Sequence, residues 1–266
     1  MSRAPIDYLY RKKNRARKRL ARAYDERFRK LVPAPPDVVG VGVQKCGSSW
    51  WFELVRRHPG VWSPNYFKKD RHFFDELDGT APDDLDVAAY HRLFARPAGT
   101  LAAEWTAEYL YDPWTPPLLA RAAPNAKILV SLRDPVSRWV SGHAFERRRG
   151  VFGPGELEQE VFSRGLYADQ LERLYESFEP ARVLVLQYEQ NVRDTAGQLR
   201  RTYEFLGLEP TWLPDEVDKR VNATTWDYPK IAEEERDELV ERYRPQLARL
   251  ERLLPDFDFS LWPSAR

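Results

Sequence analysis

"GVGVQKCGSSWWFELVRR", running from Gly40 to Arg57, decides how this chain folds. The apolar run Val38 to Val43 reads as a buried strand, and Ser48 to Arg57 sets Trp51, Leu54 and Val55 on one side of a helix. A glycine turn joining strand to helix aims several backbone N–H groups, and the positive end of the helix dipole, at one anion. Lys45 adds a full charge, and Ser48 and Ser49 add hydroxyl donors. The spacing from Gly42 to Gly47 satisfies the G-x-x-x-x-G half of a nucleotide-binding loop, but position 48 is serine where lysine belongs. The lysine stands three positions earlier. The loop is equipped for a diphosphate-like anion, yet lacks the lysine that reaches the terminal phosphates of ATP or GTP.

Outward from this unit, apolar runs alternate with amphipathic ones. Thr100 to Glu104 is a weaker strand, and Pro116 to Ala123 a helix. "KILVSL", Lys127 to Leu132, is a strong buried strand, and Pro135 suits the first turn of the helix after it. "RVLVLQ", Arg182 to Gln187, is another strand, flanked by helices at Leu166 to Phe178 and Thr195 to Leu206. Ile231 to Leu253 closes the chain as a charged helix or helix pair. The order predicts an α/β, P-loop-like three-layer fold, a central parallel sheet flanked by helices. Such sheets bind ligands beyond the carboxyl ends of their strands, so the loops after Val43, Glu104 and Leu132 should meet at one edge.

With 266 residues, 42% of them apolar, the chain can build one substantial core. Residues 1–36 read as a basic helical arm closed by Pro33-Ala-Pro-Pro36, and residues 37–266 as the folded domain. Residues 1–32 carry twelve Lys/Arg against Asp7, Asp25 and Glu26. A run of this kind is a solvated helix face or a peripheral contact with an anionic membrane. No nucleic-acid partner is expected. No stretch reaches the roughly 18 apolar residues of a membrane span and no signal-peptide core opens the sequence, so the expectation is a cytoplasmic protein. One cysteine and four histidines offer neither a disulfide nor zinc-ligand spacing, and no metal is expected. His58, His91 and His143 are read as structural.

A second anion anchor follows the strongest strand. "SLRDPVSRWVSGH" places Arg133 at the strand end and Ser141 eight residues on, and a guanidinium fork binds phosphate oxygens bidentately. About 90 residues separate it from Lys45. Here the chain resembles a family. "QKCGSSWW" is similar to the K-x-G-[ST]-[ST] loop of sulfotransferases that use 3′-phosphoadenosine 5′-phosphosulfate (PAPS). Arg133, Asp134, Pro135, Arg138 and Ser141 match their R-[DN]-P-x-x-R-x-x-S motif. The resemblance implies that Lys45, Cys46, Gly47, Ser48 and Ser49 hold the phosphosulfate, that Trp50 stacks on adenine, and that Arg133 and Ser141 take the 3′-phosphate. It places Tyr167, from "GLY", near the nucleotide. "KRVNATT" resembles the late loop closing over the nucleotide, which brings in Lys219, Arg220 and Asn222, although the family's lysine-glycine pair is missing.

The same family implies a base that takes the acceptor's proton as the S–O bond forms. "KDRHFFD", Lys69 to Asp75, resembles the K-E-P-H-F-F-D segment of carbohydrate sulfotransferases acting on heparan-type chains. By that match Asp70 is the base, Lys69 assists the transferred group, and His72 and Asp75 orient the acceptor, a sugar, a glycoside or another small molecule. Aspartate in place of glutamate shortens the reach, and Arg71 replaces proline. Cytosolic sulfotransferases suggest a rival after a later strand, where this chain has "LAAEWTAEYLY" with Glu104. Two other classes compete: a magnesium-dependent P-loop nucleotide kinase, and a non-enzymatic nucleic-acid or membrane binder acting through the arm.

Overall fold

The computed structural model describes residues 23–25, 29–64, 68–75, 86–217, 219 and 231–265. Most of the basic arm lies outside them. Four strands, β1 (Val38–Gly42), β2 (Ala103–Trp105), β3 (Lys127–Leu132) and β4 (Val183–Gln187), form one sheet in the order β2-β1-β3-β4. All three pairings are parallel. The chain winds outward from β1 to β2 and then returns to the other side for β3. Strand order therefore reverses between β1 and β3, which is where open α/β sheets bind ligands.

Alternation along each strand builds the layers. Val39, Val41, Ile128 and Val130 face one core with Leu118 and Leu119 of α3 (Thr115–Ala122), Leu171 and Leu174 of α6 (Tyr167–Ser177), and Leu247 and Leu250 of α9 (Glu233–Leu253). Val38, Leu129, Leu184 and Leu186 face the other, against Trp51 and Leu54 of α1 (Ser48–Arg57) and Leu199 and Tyr203 of α8 (Thr195–Leu206). Each fully buried side chain of this kind contributes about 1.5–3 kcal/mol, so the three-layer arrangement follows from the strand pattern. Trp105 fixes one contact sharply. A Cβ on Gly40 would sit 1.9 Å from its ring, so any larger residue there would displace the indole.

The remaining helices are α2 (Val87–Leu93), α4 (Pro135–Arg149), α5 (Pro154–Ser163) and α7 (Tyr188–Arg193). Three of these, α2, α5 and α7, are additions to the expected set. The weak strand begins at Ala103 instead of Thr100, since its ladder with β1 spans only Val38↔Ala103 to Gly40↔Trp105. The C-terminal segment is one helix that keeps Pro245 inside it. Among the described residues no helix is long and apolar enough to cross a membrane.

Candidate active site

The loop leaving β1 is tied to the end of β3 at three points. Val43 N–H donates to the Ser131 carbonyl (3.0 Å), Ser131 Oγ to the Cys46 carbonyl (2.6 Å), and Arg133 Nη1 to the Lys45 carbonyl (3.3 Å). Lys45 and Arg133 are therefore neighbours, as one ligand touching both requires. Lys45 adopts φ 70° and Gly47 φ 81°, left-handed values that strain a lysine by roughly 1–3 kcal/mol. The Lys45 ammonium lies 4.5 Å from the centre of the Phe145 ring on α4, and Gln44 Nε2 donates to Glu146 Oε1 at 2.8 Å. Gly47 is the N-cap of α1 and supplies no side-chain acceptor, whereas Asp134 caps α4 by accepting from Ser137 N–H at 2.8 Å. The first turn of α1, with Ser48 and Ser49 in it, thus keeps its N–H groups clear of a side-chain cap, as an anion site needs.

Two residues of this loop face inward. Cys46 is buried, with Sγ 3.7 Å from Tyr167 Oη. Burial pushes the thiol up to about 12 despite the opposing charges of Arg138 and Arg133 and the Tyr167 contact, so Cys46 contributes backbone and no reactive sulfur. Trp50 is 3% exposed and edge-on to Trp51, packed beneath the sheet. That corrects the adenine-stacking expectation: the third position of α1 points its indole into the core.

Arg133 is held from three sides. Its guanidinium stands 4.8 Å from the centre of the Tyr188 ring, its side chain binds the Lys45 carbonyl, and its own carbonyl accepts from Tyr167 Oη at 3.0 Å. Tyr167 is fully buried and joins both anion motifs from underneath. Asp134 is anchored by Ser264, whose N–H donates to Oδ2 at 3.0 Å, and Glu189 accepts from Asp134 N–H (3.0 Å) and Trp262 Nε1 (2.9 Å). Burial raises the Glu189 pKa and these donors oppose it. Ser141 and Arg138 are buried on α4. Lys219 pairs with Glu216 at 2.9 Å on the exposed surface. Arg220 and Asn222 lie outside the described residues.

The segment bearing Asp70 is strung along the exit of β2. Asp70 N–H donates to the Trp105 carbonyl (2.8 Å), Arg71 N–H to Thr106 Oγ1 (2.9 Å), and Phe73 N–H to Tyr109 Oη (3.1 Å). Asp70 and His72 both have φ 55°. Lys45, Asp70 and His72 are thus left-handed non-glycine residues at one sheet edge, and strain of this kind is held where the surroundings over-determine it. Asp70 carries Lys69 on Oδ1 at 2.7 Å and is partly exposed. His72 Nδ1 meets Asp75 Oδ2 at 2.5 Å. Burial alone would lower the His72 pKa, but Asp75, then Asp70 and Glu108, raise it. Glu104 lies behind this segment, 1% exposed, with Oε1 accepting from Tyr90 Oη. Burial lifts its carboxyl to about 7, against the Tyr90 hydrogen bond and the Arg71 charge. As placed, it meets Tyr90 and not a molecule arriving from solvent. His58 is buried and bonded to Gly60 and Glu209, a structural role as expected.

Sequence reasoning passed over Tyr188 and Phe145, which flank the two cations. Tyr188 follows directly on β4, and the rule that ligands gather beyond strand ends would have found it. Phe145 sits on α4 and gave no signal. Among the described residues no group of three or more His, Cys, Asp or Glu is placed to hold a metal ion.

Comparison with known proteins places the chain in a family. The family model described as "Sulfotransferase domain" covers residues 35–242. The chain is 29% identical over 189 residues to mouse heparan sulfate glucosamine 3-O-sulfotransferase 6, covering 65% of this chain and 53% of that protein. It is 31% identical over 158 residues to omega-hydroxy-beta-dihydromenaquinone-9 sulfotransferase Stf3 of Mycobacterium bovis, covering 50% of this chain and 40% of that one. The chain spans about half the length of the curated relatives it matches. Among solved structures, a sulfotransferase from Alicyclobacillus acidocaldarius superposes with TM-score 0.69 at 28% identity, covering 86% of this chain and 99% of that one.

Proposed function

The chain belongs to the sulfotransferase domain family, and on that premise we propose that it moves a sulfuryl group from PAPS to an acceptor hydroxyl, releasing adenosine 3′,5′-bisphosphate. The observation that carries the donor assignment is the contact between Arg133 and the Lys45 carbonyl. It sets two cationic residues side by side at the sheet edge, suited to the two ends of one bisphosphorylated adenosine. Lys45 and the uncapped first turn of α1 hold the phosphosulfate end, and Arg133 and Ser141 hold the 3′-phosphate.

In this reading the acceptor oxygen attacks sulfur in line with the phosphate oxygen that leaves. The S–O bond to phosphate breaks, its electron pair stays on the phosphate, and Lys45 stabilises the charge that develops there. Asp70 takes the hydroxyl proton. It is the exposed carboxylate of its segment, and Lys69 and the Ala107 N–H, 3.4 Å from Oδ1, fix its orientation. His72, oriented by Asp75, donates to the acceptor. The names of the relatives cover a polysaccharide and a menaquinone, so a sugar, a glycoside or another small molecule fits the family.

Incubation with PAPS and a panel of hydroxyl acceptors, read by mass, tests the reaction. Sulfated product is expected without added magnesium. Phosphorylated product from Mg-ATP, with none from PAPS, would instead favour the kinase reading.

A further inference from the structure

The peptide unit that joins Arg133 to Asp134 is clamped at both of its polar groups. Its carbonyl accepts from Tyr167 Oη at 3.0 Å, and its N–H donates to Glu189 Oε1 at 3.0 Å. Neither clamp stands alone. Residues 258–264, which follow α9 and lie beyond residues 35–242, the span of the family domain, reach both. Trp262 is fully buried, its Nε1 donates to Glu189 Oε2 at 2.9 Å, and its ring lies 6.1 Å from that of Tyr167. Ser264, also buried, gives Asp134 Oδ2 two donors, its N–H at 3.0 Å and its Oγ, while Asp134 Oδ1 caps α4 through Ser137 N–H. At the start of this segment the Asp258 carbonyl accepts from Gln187 Nε2, at the end of β4, at 2.9 Å.

What these bonds fix is the direction in which Arg133 leaves the backbone. A guanidinium binds phosphate through a planar fork, and that contact weakens when the plane is turned away from the oxygens. Loss of either clamp frees the peptide that sets the plane. The Glu189 clamp also governs the neighbouring Tyr188, whose ring supports the Arg133 guanidinium at 4.8 Å. The Lys45 loop is fastened differently, to Ser131 through the Val43 N–H and the Cys46 carbonyl. A change confined to residues 258–264 therefore acts first on the Arg133 end of the site.

We propose that Ser264 and Trp262 are positioning residues that aim Arg133 at the 3′-phosphate, so that residues 258–264 set how strongly the site prefers an adenine nucleotide with that phosphate to one without it. This rests on the donor reading, in which Arg133 is the 3′-phosphate anchor. Ser264 acts through Asp134, and Trp262 through Glu189 and Tyr167.

Calorimetry on the full chain tests it with two probes, adenosine 3′,5′-bisphosphate and adenosine 5′-monophosphate, which differ only in the 3′-phosphate; the monophosphate is read by displacement. Ser264→Ala is expected to weaken the bisphosphate about tenfold and the monophosphate less than about twofold, the size of one lost hydrogen bond to a charged group felt at one end of the site. Ser264→Thr, which keeps the hydroxyl, should restore most of that loss. Trp262→Phe, which keeps a ring and drops the N–H, should show the same selective weakening. In an Arg133→Ala background Ser264→Ala should cost little more, because residues that act through one group do not add. In turnover assays the loss should fall on the KM for PAPS rather than on kcat. Equal weakening of both nucleotides, full affinity for the bisphosphate in Ser264→Ala, or an undiminished further loss in the Arg133→Ala background overturns the proposal. If Trp262→Phe does not fold, the Ser264 pair decides by itself. A wild-type chain that binds the two nucleotides equally, or binds neither, would instead sink the assignment of Arg133 to the 3′-phosphate.

Discussion

The proposed donor side and the proposed acceptor side of this sheet edge are built differently. Around Lys45 and Arg133, the loop after β1 is fastened to the end of β3 through its own backbone: Val43 N–H to the Ser131 carbonyl, and the Cys46 and Lys45 carbonyls to Ser131 Oγ and the Arg133 guanidinium. Around Asp70, one three-residue strand bears the segment, and what faces the site is mostly charged side chain. The first arrangement suits a ligand that never changes. The second leaves recognition to side chains, which substitutions can alter without disturbing the fold. A family that keeps its donor and varies its acceptor would be expected to divide the labour this way.

Breaking the acceptor side alone should leave the donor side intact. Asp70→Asn is expected to lower turnover roughly 100- to 10,000-fold, the usual loss for a general base, while affinity for adenosine 3′,5′-bisphosphate changes little. Turnover close to wild type would remove Asp70 from the mechanism.

A smaller effect separates Glu104 from catalysis. Its carboxyl titrates near 7 in the folded chain against 4.5 as the ordinary value, so the folded state holds a proton that the unfolded chain releases. Its contribution to stability is therefore full below about 4.5 and declines as pH rises to about 7, by on the order of 3 kcal/mol. Glu104→Gln should lose that share of the decline, so the melting temperature of the variant minus that of wild type should grow across this interval. A constant difference would show that Glu104 is not held protonated.

Smaller still is the test of the loop's backbone. Gly47→Ala places a Cβ 2.7 Å from the Tyr188 ring at φ 81°. Left-handed geometry in a residue other than glycine costs about 1–2 kcal/mol. A melting temperature lowered by several degrees is expected, with part of the loss recovered when Tyr188→Ala is added. No recovery would mean that the backbone conformation alone carries the penalty.

Much of the donor side was legible in the chain because its signals are contiguous. Val38 to Ser49 is one unit of strand, turn and helix, and Lys127 to Ser141 another, and β3 begins and ends where its apolar run does. Trp50 misled because a helix face is settled by the sheet it packs on, and two adjacent tryptophans do not say which way each points. The ion pairs around Arg164 were hidden for a different reason. Arg164 pairs with Glu108, from the β2 exit, and with Glu160, from α5, and its packing on the Tyr111 ring joins segments far apart in the chain. The short β2 was misjudged at its start because its ladder with β1 begins only at Val38↔Ala103, a tertiary pairing that no local propensity records.

Titration of adenosine 3′,5′-bisphosphate into the chain, with a chelator present, bears most directly on the paired cradle. Wild type should bind without metal, and Lys45→Ala and Arg133→Ala should each weaken binding about 10- to 100-fold, the range for losing one charged hydrogen-bonding group. Undiminished affinity in both variants, or binding only once magnesium is restored, would contradict a shared site between β1 and β3.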